Sequence, residues 1–371
     1  QLIRYVLPKF TFSLCVYFIM LLFGAIVVNT ACDDWTEIET LHSQSMSGSS
    51  MSEDYYANLR AYKKSDHSVT FGWYGNWTGK GSSLENCLVG LPDSVDFISM
   101  WGGWKNPTPE MLEDLRYVQE KKGTKALVVF LVLEMGDQIT PEEYNATRAD
   151  RHKFWGWVDG DEEAVKASIV KFANAICDTI DKYNYDGFDM DWEITTPQPF
   201  ETNYEMGRPG RIDVFLDTMS KRVGPKSGTG RYLVVDGEIS NLPAKYASYF
   251  DYFITQAYTC TGEYTLNSRL NGLIDKYSSE VPAEELARKL IVTEDFEKYA
   301  QMGGYDFTAP DGTEMKSLEG MARWNPVVNG KKIRKGGVGT YHMEYEFYVP
   351  GYEGTYPFLR NATRIMNPPV K

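Results

Sequence analysis

Between His67 and Glu344 the chain carries eight short runs rich in Val, Ile, Phe and Tyr, at 68–75, 95–102, 125–133, 185–193, 232–240, 252–258, 289–296 and 336–344. Several, such as Val128-Val129-Phe130-Leu131, are apolar on both faces, which suits a parallel strand covered on both sides. Stretches of helical periodicity separate them. Thr108 is a natural N-cap with Pro109 at the first helical position, and Met111, Leu112, Leu115 and Val118 share a face before Gly123. After Asp161, the residues Val165, Ile169, Phe172, Ile176 and Ile180 recur at threes and fours, and Val214, Phe215 and Met219 suggest a further helix. Strand–helix alternation of this length predicts an α/β chain whose single catalytic domain, over residues 67–371, is a (β/α)8 TIM barrel. A doubly wound open sheet would set a GxGxxG loop after its first strand, and GWYGNWTGKGS at 72–82 lacks that spacing.

The sequence before the barrel has a different character. Arg4 and Lys9 precede an almost unbroken apolar run from Phe10 to Val28, the pattern of an export signal over residues 1–31. Asn29-Thr30-Ala31-Cys32 resembles a bacterial lipobox, and Asp33-Asp34 resemble the acidic surface-export tag of Bacteroidetes lipoproteins. That resemblance implies lipidation of Cys32 and an outer-membrane lipoprotein at the cell surface or in the periplasm, touching the membrane only through its lipid. Residues 32–66, with SQSMSGSSMS at 43–52, read as a tether. Acidic residues outnumber basic ones by 51 to 38, so no basic face is available to track nucleic-acid phosphates. Cys87, Cys177 and Cys260 have no zinc or disulfide spacing and read as buried thiols; His342 has no paired ligand and reads as a packed histidine. A monomer is expected.

The chemistry concentrates in Asp186-Gly187-Phe188-Asp189-Met190-Asp191-Trp192-Glu193. Alternation along a strand turns Asp189, Asp191 and Glu193 to one face, in steps of ~7 Å, and Phe188, Met190 and Trp192 to the other. Three carboxyls crowded inside a barrel cannot all ionise, so at least one holds its proton near neutral pH. A protonated acid among ionised neighbours is what protonation of a leaving group requires. A divalent-metal cluster is the alternative, but metal sites draw oxygen ligands from several loops, whereas these acids alternate with bulky apolar residues. No metal and no cofactor are expected.

The segment resembles the fourth-strand signature of glycoside hydrolase family 18, DxxDxDxE, with all four acidic positions filled, and the resemblance extends over roughly residues 67–350. It implies that Glu193 is the general acid/base. Asp191 would orient the substrate's 2-acetamido group, which attacks the anomeric carbon to form an oxazolinium with overall retention; the family departs in this from the two-carboxylate scheme. Asp189 would sit deeper and share a proton with Asp191, and Asp186 would be structural. The pair Gln256-x-Tyr258 on the sixth run resembles the endo-β-N-acetylglucosaminidases, which implies that Tyr258 holds the acetamido carbonyl and that Gln256 helps to hold the same group. The third run lacks the SxGG of chitinases, and the eighth, GVGTYHM, offers Tyr341 where chitinases place a Trp. The resemblance therefore implies cleavage between the two core GlcNAc residues of N-glycans on glycans or glycoproteins. A chitinase or chito-oligosaccharidase, and a surface glycan-binding protein without catalysis, stay open as alternatives. Glu238 and Asp236 are expected to meet sugar hydroxyls or to cap a loop, with Glu238 the candidate for substrate binding, and about half of the Trp residues near strand ends to stack sugars.

Overall fold

A computed structural model describes residues 51–195 and 205–368, and in it the eight runs become eight parallel strands of one closed barrel. They are β1 (Val69–Tyr74), β2 (Phe97–Met100), β3 (Lys125–Leu131), β4 (Gly187–Trp192), β5 (Tyr232–Gly237), β6 (Tyr252–Gln256), β7 (Leu290–Asp295) and β8 (Gly337–Tyr341). Each strand pairs with its neighbour in sequence, and β8 closes on β1 with Val69 opposite Gly337 and Trp73 opposite Tyr341. The TIM barrel expected from the alternation is the architecture found.

Alternation along the strands builds two cores. Val69, Phe71 and Trp73 of β1 point inward and meet Phe97, Leu127, Val129, Val234, Ile254 and Ile291 inside the barrel. Residues of the opposite parity, such as Val128, Phe130, Phe188 and Met190, pack outward beneath the helices. The barrel interior is thus filled rather than hollow, and only its C-terminal mouth is free to host a site. On β8 the small Gly339 makes room for this filling: a Cβ there would lie 2.5 Å from Phe71 Cδ1.

The helices begin and end where their caps dictate. Thr108 accepts from Met111 N, and the helix Pro109–Tyr117 runs on through a π turn, Val118–Lys122, to Gly123 in the left-handed conformation. Asp161 accepts from Glu163 N and Ala164 N at the head of Glu162–Tyr183, which buries Val165, Ile169, Phe172, Ile176 and Ile180. Residues 1–50, including the signal segment and Cys32, lie outside the described residues.

Part of the stretch expected as a tether, residues 32–66, is helical. Residues Glu53–Lys63 form a helix capped by Ser52, whose hydroxyl accepts from Tyr55 N, and the helix buries Tyr56 and Leu59. Lys63 Nζ donates to Val95 O (2.6 Å) and Thr124 Oγ1 (2.9 Å), which precede β2 and β3. This helix therefore covers the N-terminal end of the barrel, away from the mouth. Its apolar stripe is two residues wide, too slight to stand out against the Ser/Gly run before it.

Candidate active site

Strand β4 alternates as its sequence requires. Asp189 and Asp191 point into the barrel, 0 and 3% exposed, and Glu193 follows one step beyond the strand end, half-buried at the mouth. Register decides what they meet. Asp191 lies opposite Asp236 on β5 and Leu131 on β3, and Trp73 lies opposite Ser99 and Tyr341.

Asp189 is the lowest of the acids. Its Oδ2 accepts from Ser99 Oγ at 2.6 Å and from the Trp73 indole N–H at 3.1 Å. Asp236 is the hub above it, hydrogen-bonded to both Asp189 and Asp191. Gln256 Nε2 then bridges outward, donating to Asp236 Oδ1 and to Glu193 Oε1, each at 2.9 Å. Asp189 Oδ1, Asp191 Oδ1 and Asp236 Oδ2 are buried and have no N–H or other ordinary donor facing them. Protons held between the carboxyls themselves satisfy such oxygens, since an unmet buried acceptor is costly. The electrostatics agree. Burial holds the Asp189 carboxyl up at about 6. Burial, with repulsion from neighbouring carboxylates, lifts Asp191 and Asp236 well above the ordinary range.

Asp236, opposite Asp191 in the strand register, joins the pair of acids that the motif sets on one face. Glu238 does not line the cavity: its carboxylate accepts from Thr195 N at 3.1 Å, from the Thr195 hydroxyl and from Asn241 Nδ2 at 2.7 Å, and so secures the segment after β4. The cause is Gly237, whose φ of 82° breaks the alternation of β5 and turns the next residue away. Gln256, expected on the acetamido group, spends its amide N–H groups on the acid cluster.

The cavity at the mouth has a volume of about 240 Å³ and is lined by Asp191, Glu193, Asp236, Gln256, Tyr258, Trp73, Trp101, Leu131 and Tyr341. Tyr258 and Tyr341 stack with ring centroids 6.2 Å apart, and Trp101 stands edge-on to Tyr341 at 5.7 Å. Burial and the nearby Asp236 raise the Tyr258 hydroxyl far above its usual range, and burial takes Tyr341 up to about 12. Both are O–H donors throughout the physiological range. Trp104, Trp155, Trp157 and Trp324 are buried packing residues, as are the thiols of Cys87, Cys177 and Cys260. Ser99 and the indole N–H of Trp73 were not marked by any motif, because only the cross-strand register brings them to Asp189.

Comparison with known proteins gives the same answer from three directions. The family model described as glycoside hydrolase family 18, BT1044-like, matches residues 36–365. Endo-beta-N-acetylglucosaminidase F2 from Elizabethkingia meningoseptica is 27% identical over 348 residues, covering 91% of this chain and 90% of its own. A solved selenomethionine variant of BT1044 is 33% identical with a TM-score of 0.70, over 85% of this chain and 93% of that one. An endo-beta-N-acetylglucosaminidase from Cordyceps militaris, solved in complex with fucosyl-N-acetylglucosamine-Asn, shares the fold at 18% identity, with a TM-score of 0.58 over 86% of this chain and 97% of that one. With the barrel, the acid cluster on its fourth strand and a family match over nearly the whole length in hand, the chain belongs to glycoside hydrolase family 18, in its BT1044-like group.

Proposed function

We propose that the chain hydrolyses the β-1,4 bond between the two core GlcNAc residues of N-glycans, with retention and with the substrate's 2-acetamido group as nucleophile. The observation that carries this reading is the division among the acids. Glu193 stands half-buried at the mouth, while Asp189, Asp191 and Asp236 are at most 3% exposed and burial favours their protonated forms. A buried carboxyl that keeps its proton is a poor nucleophile and a good orienting group, so attack falls to the substrate. Glu193 protonates the leaving oxygen and then activates water. Asp191, backed by Asp236, orients the acetamido nitrogen, and the Tyr258 hydroxyl donates to its carbonyl. Tyr341 and Trp101 offer ring faces to the sugar. The named activity of the F2 relative supports the same substrate class. Lipidation of Cys32, display of a monomer outside the cell and action on glycoproteins complete the proposal.

The test is release from native and denatured N-glycoproteins, read by mass, with wild type beside Glu193→Gln. The expected result is one GlcNAc left on Asn with the wild type, and a rate lower by at least about 100-fold in the variant, as loss of a general acid implies. Cleavage of GlcNAc oligomers with no action on glycoproteins would overturn the N-glycan reading in favour of a chitinase.

A further inference from the structure

Beside the catalytic cavity lies a larger one of about 670 Å³, and the two share Trp101 and Leu131 as a partition. The larger cavity is formed by the segments that follow β2 and β3. Its floor is apolar, from Val129, Phe130 and Leu131, and Lys105 stands exposed at its rim. Its polar wall is Asp137 with Gln138, whose Nε2 donates to Asp137 Oδ2 at 3.1 Å.

That wall is built with some care. Gln138 has a φ of 66°, a conformation that costs a residue with a side chain and persists only where its surroundings enforce it. Here Ile139 N donates to Asp137 O at 2.8 Å and Thr140 Oγ1 donates to Gly136 O at 2.6 Å. The Trp155 indole N–H in turn donates to Thr140 Oγ1 at 2.8 Å, and Met135 N to Glu205 Oε2 at 2.8 Å. The turn is pinned from both sides, and what it presents to the cavity is a carboxylate paired with an amide.

We propose that this second cavity is a sugar subsite that takes a neutral hexose of the glycan remote from the cleaved bond, recognised by Asp137 and Gln138 against the Trp101 ring. This rests on the glycan-hydrolase reading above and deepens it. The chemistry matches a pyranose, whose C–H face packs on an indole and apolar floor while its hydroxyls donate to a carboxylate and exchange bonds with an amide. An anionic sugar would face the Asp137 carboxylate, with the exposed Lys105 and an Arg151 already paired with Glu134 as the nearby cations. The cavity is larger than the catalytic one, so it accommodates more than a single ring.

Steady-state kinetics on the full chain would test this, using a glycopeptide bearing a complete N-glycan and the same glycopeptide trimmed by exoglycosidases to its innermost sugars. The variants are Asp137→Ala and Gln138→Gly; the second suits the left-handed backbone and removes the whole side chain with its amide. Loss of a hydrogen bond to a charged group implies a KM on the complete glycan raised by about tenfold or more. The ratio of kcat/KM between complete and trimmed substrates should fall with it, at unchanged melting temperature. Equal effects on both substrates, or none on the complete glycan, would overturn the subsite alone. No release from either substrate by the wild type would overturn the hydrolase reading and this inference together.

Discussion

Burial of the Asp189, Asp191 and Asp236 carboxyls ties the stability of the molecule to pH. In an unfolded chain Asp titrates near ~3.9. In the folded barrel burial holds Asp189 up at about 6, and Asp191 and Asp236 higher still. The folded form therefore binds more protons between those values, and stability contributed by the cluster is lost as pH rises through about 6. Asp189→Asn keeps the contacts of Oδ2 to Ser99 and Trp73 only in part, but removes that titration. Its melting temperature should accordingly fall less between pH 5 and pH 8 than that of the wild type; parallel curves would show that Asp189 does not titrate in this window. The same residues mark what the sequence could and could not disclose. Asp189, Asp191 and Glu193 were legible because strand alternation is a local rule. The role of Asp236 was not, since it depends on Asp191 and Asp236 falling opposite each other in the register of β4 and β5. Glu238 misled for a local reason: alternation carries over only while the strand lasts, and β5 ends at Gly237.

At the scale of elements, all eight barrel strands and the helices headed by Thr108 and Asp161 were readable, because hydrophobic period and cap chemistry are both written into neighbouring residues. The helix Glu53–Lys63 was hidden because it is held by contacts far away in sequence. Arg60 Nη1 donates to Lys121 O at 2.9 Å, and Lys63 reaches Val95 and Thr124. Leu59 is 1% exposed in that packing, so Leu59→Ala should cost ~2–5 kcal/mol in urea unfolding. A chain begun at residue 67 should be less stable than one begun at residue 51, by at least as much as the Leu59 variant. Equal midpoints for the two would place the helix outside the folded unit. On the other face of the barrel, Arg148 Nε donates to Glu205 Oε1 at 2.7 Å, joining the segment after β3 to the one after β4. The wall of the second cavity is thereby braced against the segment that leads into the helix Arg211–Met219.

Inside the barrel, apolar residues fill the lower layers and the cluster of Asp189, Asp191 and Asp236 stands above them, so the packing below sets the geometry above. Phe71 is wholly buried beneath Trp73, with rings 4.8 Å apart, and Trp73 in turn holds Asp189. Gly339→Val would press on Phe71 and should destabilise the fold by ~1–3 kcal/mol, a cost typical of overpacking. Activity per folded molecule should fall as well, because the push is transmitted through Trp73 to the acids; a destabilised variant of normal specific activity would break that chain of argument. The barrel is sewn shut by β1 and β8, the first and last of its strands. During synthesis, then, everything up to residue 336 can exist only as an open sheet whose β1 and β7 edges are bare rows of backbone donors and acceptors, the kind of edge that recruits strands from other chains. Closure over so long a separation is inherently slow. The ribosome must release nearly the entire chain before the acids on β4 acquire the walls that tune them, and a nascent chain stalled short of Gly337 is a candidate for aggregation rather than for partial activity.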